Sequence, residues 1–135
     1  MTITIKTKYL GNLRTQAVHI KSSNAIITDA PIDNQGKGEA FSPTDLLSAS
    51  LTSCMMTIMG IAAKKHGLII DGVVADTTKI MSTNPRRIAE IIIEFSFSAN
   101  NFTQQQKEIL QEAAHSCPVA LSLHPEIKQT IKFNF

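Results

Sequence analysis

An uncharged run from Leu46 to Ala63 constrains the fold of this chain more than any other feature of its sequence. Immediately before the run, Ser42 can cap a helix, Pro43 fits the first helical position, and Asp45 completes a Ser-x-x-Asp capping box. Two lysines and a histidine follow the run, where cations complement a helix C-terminus, and Gly67 is a natural helix stop. The pattern therefore predicts one long helix that begins after Ser42 and ends before Gly67.

The buried face of this helix is predicted from apolar residues that recur at spacings of three and four. That face consists of Leu47, Leu51, Cys54, Ile58 and Ile61. A helix with so few polar positions is expected to be buried on nearly all sides. In a chain of 135 residues such burial usually needs a second subunit, so the sequence predicts a homodimer.

The same uncharged run is close to the shortest length that crosses a bilayer. It contains three serines, two threonines and a glycine, which make it weakly hydrophobic. The chain has no second candidate span. We therefore expect no membrane partner.

Before the long helix, the chain predicts three strands followed by a loop. Thr2 to Tyr9 alternates apolar and polar residues, and Gly11-Asn12 is a turn signal. Arg14 to Ile20 and Ala25 to Thr28 predict the second and third strands. Asp29 to Ala40 is rich in proline, glycine and asparagine and predicts a loop. This part of the chain therefore predicts an N-terminal antiparallel β-meander.

After the long helix, the pattern predicts a β-hairpin, a second helix, a short third helix and a closing strand. Strands and helices that occur in blocks favour an α+β fold over a doubly wound one, and the length predicts one domain over residues 1–135. The hairpin strands are predicted at Leu68 to Met81 and Arg86 to Ser98, the helices from Thr103 to about Ala114 and from Pro118 to Leu123, and the last strand at Ile127 to Phe135.

Charge and cysteine usage narrow the partners and the compartment. The net charge is only +2 and no basic run exceeds two residues, so no nucleic-acid partner is expected. The N-terminus lacks the basic region, apolar block and cleavage site of a signal peptide, which predicts a cytoplasmic protein. In the cytoplasm, two cysteines are more often free, catalytic or metal-bound than joined in a structural disulfide.

The two cysteines are the residues most able to carry chemistry. Cys54 lies in the middle of the long helix, where it is either an inert core residue or a reactive thiol activated by a cation such as Arg14. Cys117 directly precedes Pro118 and can cap the short helix, where N-terminal amides stabilise a thiolate. The local sequence therefore predicts that Cys117 is the more acidic thiol, unless it is a plain capping or packing residue.

A metal site is the alternative use of these side chains. Cys54, Cys117, His115 and His66 are the candidate ligands, but no pair of them has a recognised zinc spacing. The glycine pair around Lys37 is not followed by a phosphate-binding pattern. We therefore expect neither a metal nor another cofactor.

Two motifs resemble the OsmC/Ohr family of osmotically inducible and organic hydroperoxide resistance proteins. They are Ser-Pro-Thr-Asp-Leu-Leu at residues 42–47, followed by Ser53-Cys54, and Ala-His-Ser-Cys-Pro at residues 114–118. The order of predicted elements also matches this family over almost the whole chain, and the first motif resembles its OsmC-like branch. The resemblance implies an intertwined homodimer, with the long helices packed between sheets and active sites at the subunit interface.

The resemblance also implies a function, a cysteine-based peroxidase that reduces organic hydroperoxides in oxidative and osmotic stress defence. By motif match, Cys54 would be the peroxidatic thiol, which forms a sulfenic acid, and Cys117 the resolving thiol, which forms a Cys54–Cys117 disulfide. An external dithiol would reduce that disulfide, and Arg14 would activate the Cys54 thiolate. This assignment opposes the local argument that makes Cys117 the more acidic thiol.

One departure from the family pattern leaves a second function open. Family peroxidases usually carry a glutamate, paired with the arginine, at the position of Thr44. Asp45 or Glu39 can replace it as the partner of Arg14, although the capping box already explains Asp45. The alternative is a non-catalytic dimeric OsmC-like protein that binds an apolar small molecule.

Overall fold

The computed structural model describes residues 1–135 and has the α+β architecture that the sequence predicts, with two three-stranded sheets and three α-helices. Contacts divide the chain into two compact units, Met1–Leu47 and Ser48–Phe135, and the single domain predicted for residues 1–135 stays a prediction. The elements are β1 (Ile5–Gly11), β2 (Arg14–His19), β3 (Ala25–Asp29), a short 3-10 helix (Ile32–Asn34), α1 (Pro43–Lys65), β4 (Val74–Ser82), β5 (Arg87–Ser96), α2 (Gln104–His115), α3 (Pro118–Ser122) and β6 (Lys128–Asn134).

The first unit is built on the predicted β-meander. Strands β1, β2 and β3 pair antiparallel in that order, and Arg14 at the start of β2 lies directly opposite Asp29 at the end of β3. The buried residues of this unit are polar, while many of its large apolar side chains are exposed. The buried ones are Thr28, Asp29 and Ser42, and the exposed ones include Ile5, Tyr9, Ile26 and Phe41.

The predicted boundaries of helix α1 are confirmed. Ser42 Oγ accepts a hydrogen bond from the Asp45 N–H, and an Asp45 carboxylate oxygen accepts one from the Ser42 N–H, both at 3.0 Å. At the other end, Gly67 adopts a left-handed backbone (φ +68°) and the Leu68 N–H donates to the Ala63 carbonyl. By length and composition alone α1 could cross a membrane, but the core helices of soluble proteins can be equally long and apolar.

The second unit contains the other sheet, in the order β4-β5-β6. Strands β4 and β5 form the predicted hairpin, and β6 runs parallel to β5 because α2 and α3 return the chain to the same end of the sheet. Helix α2 begins with the predicted capping box of Thr103 and Gln106. The strand predicted from Leu68 is wrong over its first residues, since β4 begins only at Val74. Gly72, with φ +85°, turns the chain there instead.

The predicted buried face of α1 is also wrong, although Leu51 belongs to the observed face. Cys54 is half-buried, and Ile61 is 61 % exposed. Spacings of three and four occur on more than one face of a helix that is apolar nearly all round, so periodicity alone could not select the face. The hydroxyls of Thr52 on α1 and Thr77 on β4 are hydrogen-bonded at 2.6 Å, which ties the observed face to the sheet. That face consists of Ser48, Leu51, Thr52, Met55, Met59 and Ala63.

Candidate functional site

Cys117 is fully buried at the N-terminus of α3. As predicted, it caps this helix, and its sulfur accepts a hydrogen bond from the Ala120 N–H at 3.3 Å. Burial raises the pKa of the Cys117 thiol, and the hydrogen bond and negative charge of the neighbouring Cys54 raise it further. The N–H groups of Ala120 and Val119 lower it, but only in part. The local prediction that the capping position makes this thiol acidic is therefore wrong, because burial outweighs the two amides.

Cys54 has a different environment from Cys117. It is half-buried on α1, away from the packed face of that helix, and both cysteines are free thiols. The two are distant in sequence, but the structure makes them neighbours, close enough for the charge on Cys54 to affect the ionisation of Cys117. The second unit therefore contains one accessible thiol next to one inaccessible, protonated thiol.

Arg14 forms a two-point ion pair with Asp29 in the first unit. Its Nε donates to Asp29 Oδ1 at 2.7 Å and its Nη2 donates to Oδ2 at 2.8 Å. The hydrogen bond from Arg14 lowers the pKa of the Asp29 carboxyl although burial opposes this shift, and the same contact raises the pKa of Arg14. Both side chains are therefore charged at neutral pH.

Asp29 is not among the site residues that the sequence predicts. The predicted third strand ends at Thr28 and leaves Asp29 in the following loop, whereas β3 extends through Asp29. The available signal was the register of the meander, since the first residue of β2 and the last residue of β3 lie opposite each other. Cross-strand neighbours of opposite charge are a common source of ion pairs in sheets.

The two predicted acidic partners of Arg14, Glu39 and Asp45, make different contacts. A Glu39 carboxylate oxygen accepts a hydrogen bond from Arg14 Nη2 at 3.3 Å, and the Glu39 N–H donates to Asp29 at 3.2 Å. Glu39 thus joins the Arg14–Asp29 pair as a second, more exposed partner. The Asp45 carboxylate completes the capping box of α1.

The candidate metal ligands are not gathered into a site. His115 ends α2 with its ring edge-on to Phe133, at 5.9 Å between ring centroids, and His66 directly follows α1. No group of three or more histidine, cysteine, aspartate or glutamate side chains is placed to hold a metal ion.

Comparison with known proteins assigns the chain to a family. The family model described as OsmC-like protein matches residues 36–132. A crystal structure from Psychrobacter arcticus, provisionally described as an osmotic stress induced and detoxification response protein, is 48 % identical. The match covers 99 % of this chain and 97 % of that one, with a TM-score of 0.95. Among curated proteins, none matches the chain significantly.

Two more distant structures share the fold over almost their whole length. An organic hydroperoxide resistance protein from Legionella pneumophila is 16 % identical, with a TM-score of 0.77 and coverage of 100 % of this chain and 99 % of that one. An OsmC-like protein from Mycoplasma pneumoniae is 18 % identical, with a TM-score of 0.78 and the same coverage. The family model, the two motifs and the shared architecture agree: the chain belongs to the OsmC-like protein family.

Proposed function

We propose that the protein is a cysteine-based peroxidase that reduces organic hydroperoxides in oxidative and osmotic stress defence. The observation that carries this proposal is the adjacency of Cys54 and Cys117 in unlike environments. A peroxidatic thiol must be reached by its substrate, and a resolving thiol must stay reduced until it is needed. Half-buried Cys54 fits the first role, and fully buried Cys117 fits the second.

The proposed reaction proceeds in three balanced steps. The Cys54 thiolate attacks one oxygen of R–O–O–H, the O–O bond breaks, and R–O–H leaves after gaining a proton, so that the sulfur becomes a sulfenic acid. The Cys117 sulfur then attacks the sulfenic sulfur, which forms the Cys54–Cys117 disulfide and releases water. An external dithiol reduces this disulfide by exchange and is itself oxidised. In the first step, Arg14 stabilises the Cys54 thiolate and the charge that develops on the leaving oxygen.

The environment of Cys117 supports this order of events. Burial, together with a negative charge on Cys54, raises the pKa of Cys117 and favours a protonated resolving thiol before Cys54 is oxidised. Conversion of Cys54 to a neutral sulfenic acid removes that charge. The N–H groups of Ala120 and Val119, which already favour the ionised form of Cys117, then promote its attack.

Descriptions of related proteins also support a redox role. The Psychrobacter arcticus relative is provisionally described as an osmotic stress induced and detoxification response protein, and the Legionella pneumophila structure is described as an organic hydroperoxide resistance protein and a predicted redox protein. We propose that this chain reduces an organic hydroperoxide at the expense of a dithiol. Cys54 is then the peroxidatic thiol, Cys117 the resolving thiol and Arg14 the activating residue.

We include a homodimer in the proposal because large apolar surfaces of each unit are uncovered in the single chain. Ile5, Tyr9 and Ile26 are exposed on the first sheet, and Ile61 is exposed on α1. The register of the first sheet places Ile5, Tyr9 and Ile26 on the same face, and an exposed apolar patch usually marks an interface. Sedimentation equilibrium of the purified protein tests this part directly, with a molecular mass of one chain as the contradicting result.

The decisive test of the peroxidase is intact mass combined with a free-thiol count after one equivalent of cumene hydroperoxide is added to reduced protein. The wild type should lose both thiols and two hydrogens within minutes. Cys54→Ser should lose neither thiol, and Cys117→Ser should gain one oxygen and then stop or over-oxidise. Retention of both thiols by the wild type would refute the peroxidase.

The second candidate is a non-catalytic dimer that binds an apolar small molecule. Thr44, in place of the family glutamate, favours it, as does a cavity of about 270 Å³ in the first unit, lined by Ile5, Ala17 and Ile26 together with His19, Ser22 and Asn24. Saturable binding of an apolar fluorescent probe, with no thiol loss on hydroperoxide addition, would select this candidate over the peroxidase.

A further inference from the structure

We propose that Asp29 is the positioning residue for Arg14, in the role that family peroxidases give to a glutamate at the position of Thr44. The inference rests on the proposed function in one respect, that Arg14 acts on the Cys54 thiol. It extends that function by naming a residue that neither the motifs nor the sequence pattern indicated.

The contact between Asp29 and Arg14 uses one edge of the guanidinium. Asp29 accepts from Nε and Nη2, and Glu39 also accepts from Nη2. Neither carboxylate contacts Nη1, so both N–H groups of Nη1 are left for another acceptor. A guanidinium that is anchored along one edge and open at the other can present a fixed charge to a thiolate or a developing oxyanion.

The two carboxylates around Arg14 are not equivalent. The Asp29 side chain is 2 % exposed and makes two hydrogen bonds below 3 Å. The Glu39 side chain is 64 % exposed and makes one hydrogen bond to Arg14 at 3.3 Å. A buried, bidentate acceptor fixes the orientation of the guanidinium, whereas an exposed, single contact is weakened by solvent. Asp29 is therefore the anchor.

Asp29 is itself held in place by its surroundings. Its backbone N–H donates to the Phe41 carbonyl at 3.0 Å, and its Oδ2 also accepts from the Glu39 N–H at 3.2 Å. The next pair of residues in the β2–β3 ladder, Thr15 and Thr28, is joined by a hydroxyl hydrogen bond. The carboxylate therefore has little freedom to follow Arg14, and Arg14 must adopt the orientation that Asp29 sets.

The reactivity of the Cys54 thiol distinguishes a role of Asp29 in positioning Arg14 from a role only in stabilising the fold. The rate constant for alkylation of Cys54 by iodoacetamide is measured against pH, together with kcat/KM for cumene hydroperoxide, in the wild type and in Asp29→Asn, Arg14→Gln and the double variant. Asp29→Asn keeps the shape of the side chain but puts amide hydrogens against the guanidinium donors. Glu126→Gln, which breaks the exposed Arg87–Glu126 pair, is the matched control.

The proposal predicts that Asp29→Asn lowers both rate constants, by up to about 100-fold for kcat/KM, because small displacements of a catalytic group are costly. When Arg14→Gln is already present, Asp29→Asn should lower neither the alkylation rate constant nor kcat/KM any further, because Asp29 acts through Arg14. Asp29→Glu, which keeps the carboxylate, should restore most of the loss, and Glu126→Gln should match the wild type. Wild-type rates in folded Asp29→Asn would overturn the proposal, as would an equal loss with and without Arg14.

If Asp29→Asn fails to fold, Arg14→Lys replaces it, because lysine keeps the charge but cannot make the two-point contact. Arg14→Lys should then lose as much rate as Arg14→Gln, and full activity in Arg14→Lys would overturn the proposal. If the wild type consumes no hydroperoxide, the peroxidase fails, while the alkylation rates still decide whether Asp29 acts on Cys54 through Arg14.

Discussion

The Cys117 sulfur accepts a hydrogen bond from the Ala120 N–H at 3.3 Å, and yet the pKa of this thiol is raised. Burial removes the thiolate from water, and this effect is larger than the stabilisation that two backbone amides provide. The helix N-terminus therefore does not activate Cys117 in the reduced protein. Its amides lower the pKa of Cys117 only in part, and in the proposed cycle they would face the charge that develops on this sulfur after Cys54 is oxidised.

The first prediction concerns selective labelling of the two thiols. In native, reduced protein near pH 7, iodoacetamide should modify Cys54 well before Cys117, because Cys117 is fully buried and protonated. Peptide mass spectrometry after timed quenching measures the two modifications separately. Unfolding in urea should equalise the two rates, and equal rates in the native protein would contradict the assigned environments.

The second prediction concerns the pH dependence of stability at the acid end. Because Arg14 lowers the pKa of Asp29, the folded state holds fewer protons than the unfolded state as the pH falls below about 4, the unfolded aspartate value. The pair therefore stabilises the fold fully above that pH and progressively less as the pH falls through the folded pKa. Wild type should be more stable than Asp29→Asn at pH 7, and the difference should shrink towards pH 2.

Urea unfolding followed by circular dichroism at several pH values measures this difference. Glu126→Gln, which removes an exposed ion pair, should change the free energy of unfolding by less than about 1 kcal/mol at any pH. A difference between wild type and Asp29→Asn that stays constant from pH 7 to pH 2 would contradict the ion pair.

The third prediction concerns the two faces of α1. Leu51→Ala should lower the free energy of unfolding by about 2–5 kcal/mol, because Leu51 is fully buried in the core of the second unit. Ile61→Ala should cost less than about 0.5 kcal/mol in the isolated chain, where Ile61 is 61 % exposed. In the proposed dimer, the cost of Ile61→Ala should rise with protein concentration, which unfolding at micromolar and submillimolar protein measures.

The fourth prediction concerns Gly36, in the loop between β3 and α1. A Cβ atom at this position would lie 1.7 Å from the Ala30 carbonyl oxygen, so the backbone must move to accept it. Gly36→Ala should therefore cost about 1–3 kcal/mol and displace the loop that carries Glu39. Urea unfolding measures the cost, and a stability equal to that of the wild type would show that the loop does not hold Gly36 against Ala30.

The fifth prediction is the opposite effect at Gly60, which lies inside α1. Apart from the adjoining residues and the nearby backbone of α1 itself, no atom lies within 4 Å of a Cβ built there. Gly60→Ala should raise the free energy of unfolding by about 0.5–1 kcal/mol, because alanine loses less conformational freedom in a helix. The same urea titration measures this gain, and a loss of stability would place another surface against Gly60.

Some features of the site could not be predicted because they depend on contacts between distant parts of the chain. The ion pair of Arg14 required the strand to extend to Asp29 and the register of β2 and β3 to place the two residues opposite each other. The raised pKa of Cys117 depends on the burial of its thiol, which the position next to Pro118 does not reveal. Local chemistry alone predicted the opposite direction for this shift.

The sequence by itself determined the features that depend on neighbouring residues. The capping boxes at Ser42–Asp45 and Thr103–Gln106 require only residues three positions apart, and both helices begin where those boxes predict. The motifs at residues 42–54 and 114–118 likewise indicated the family, which the family model confirms. Tertiary structure alone decided which face of α1 is buried, which acids bind Arg14 and that the pKa of Cys117 is raised, because burial and pairing depend on side chains brought together by folding.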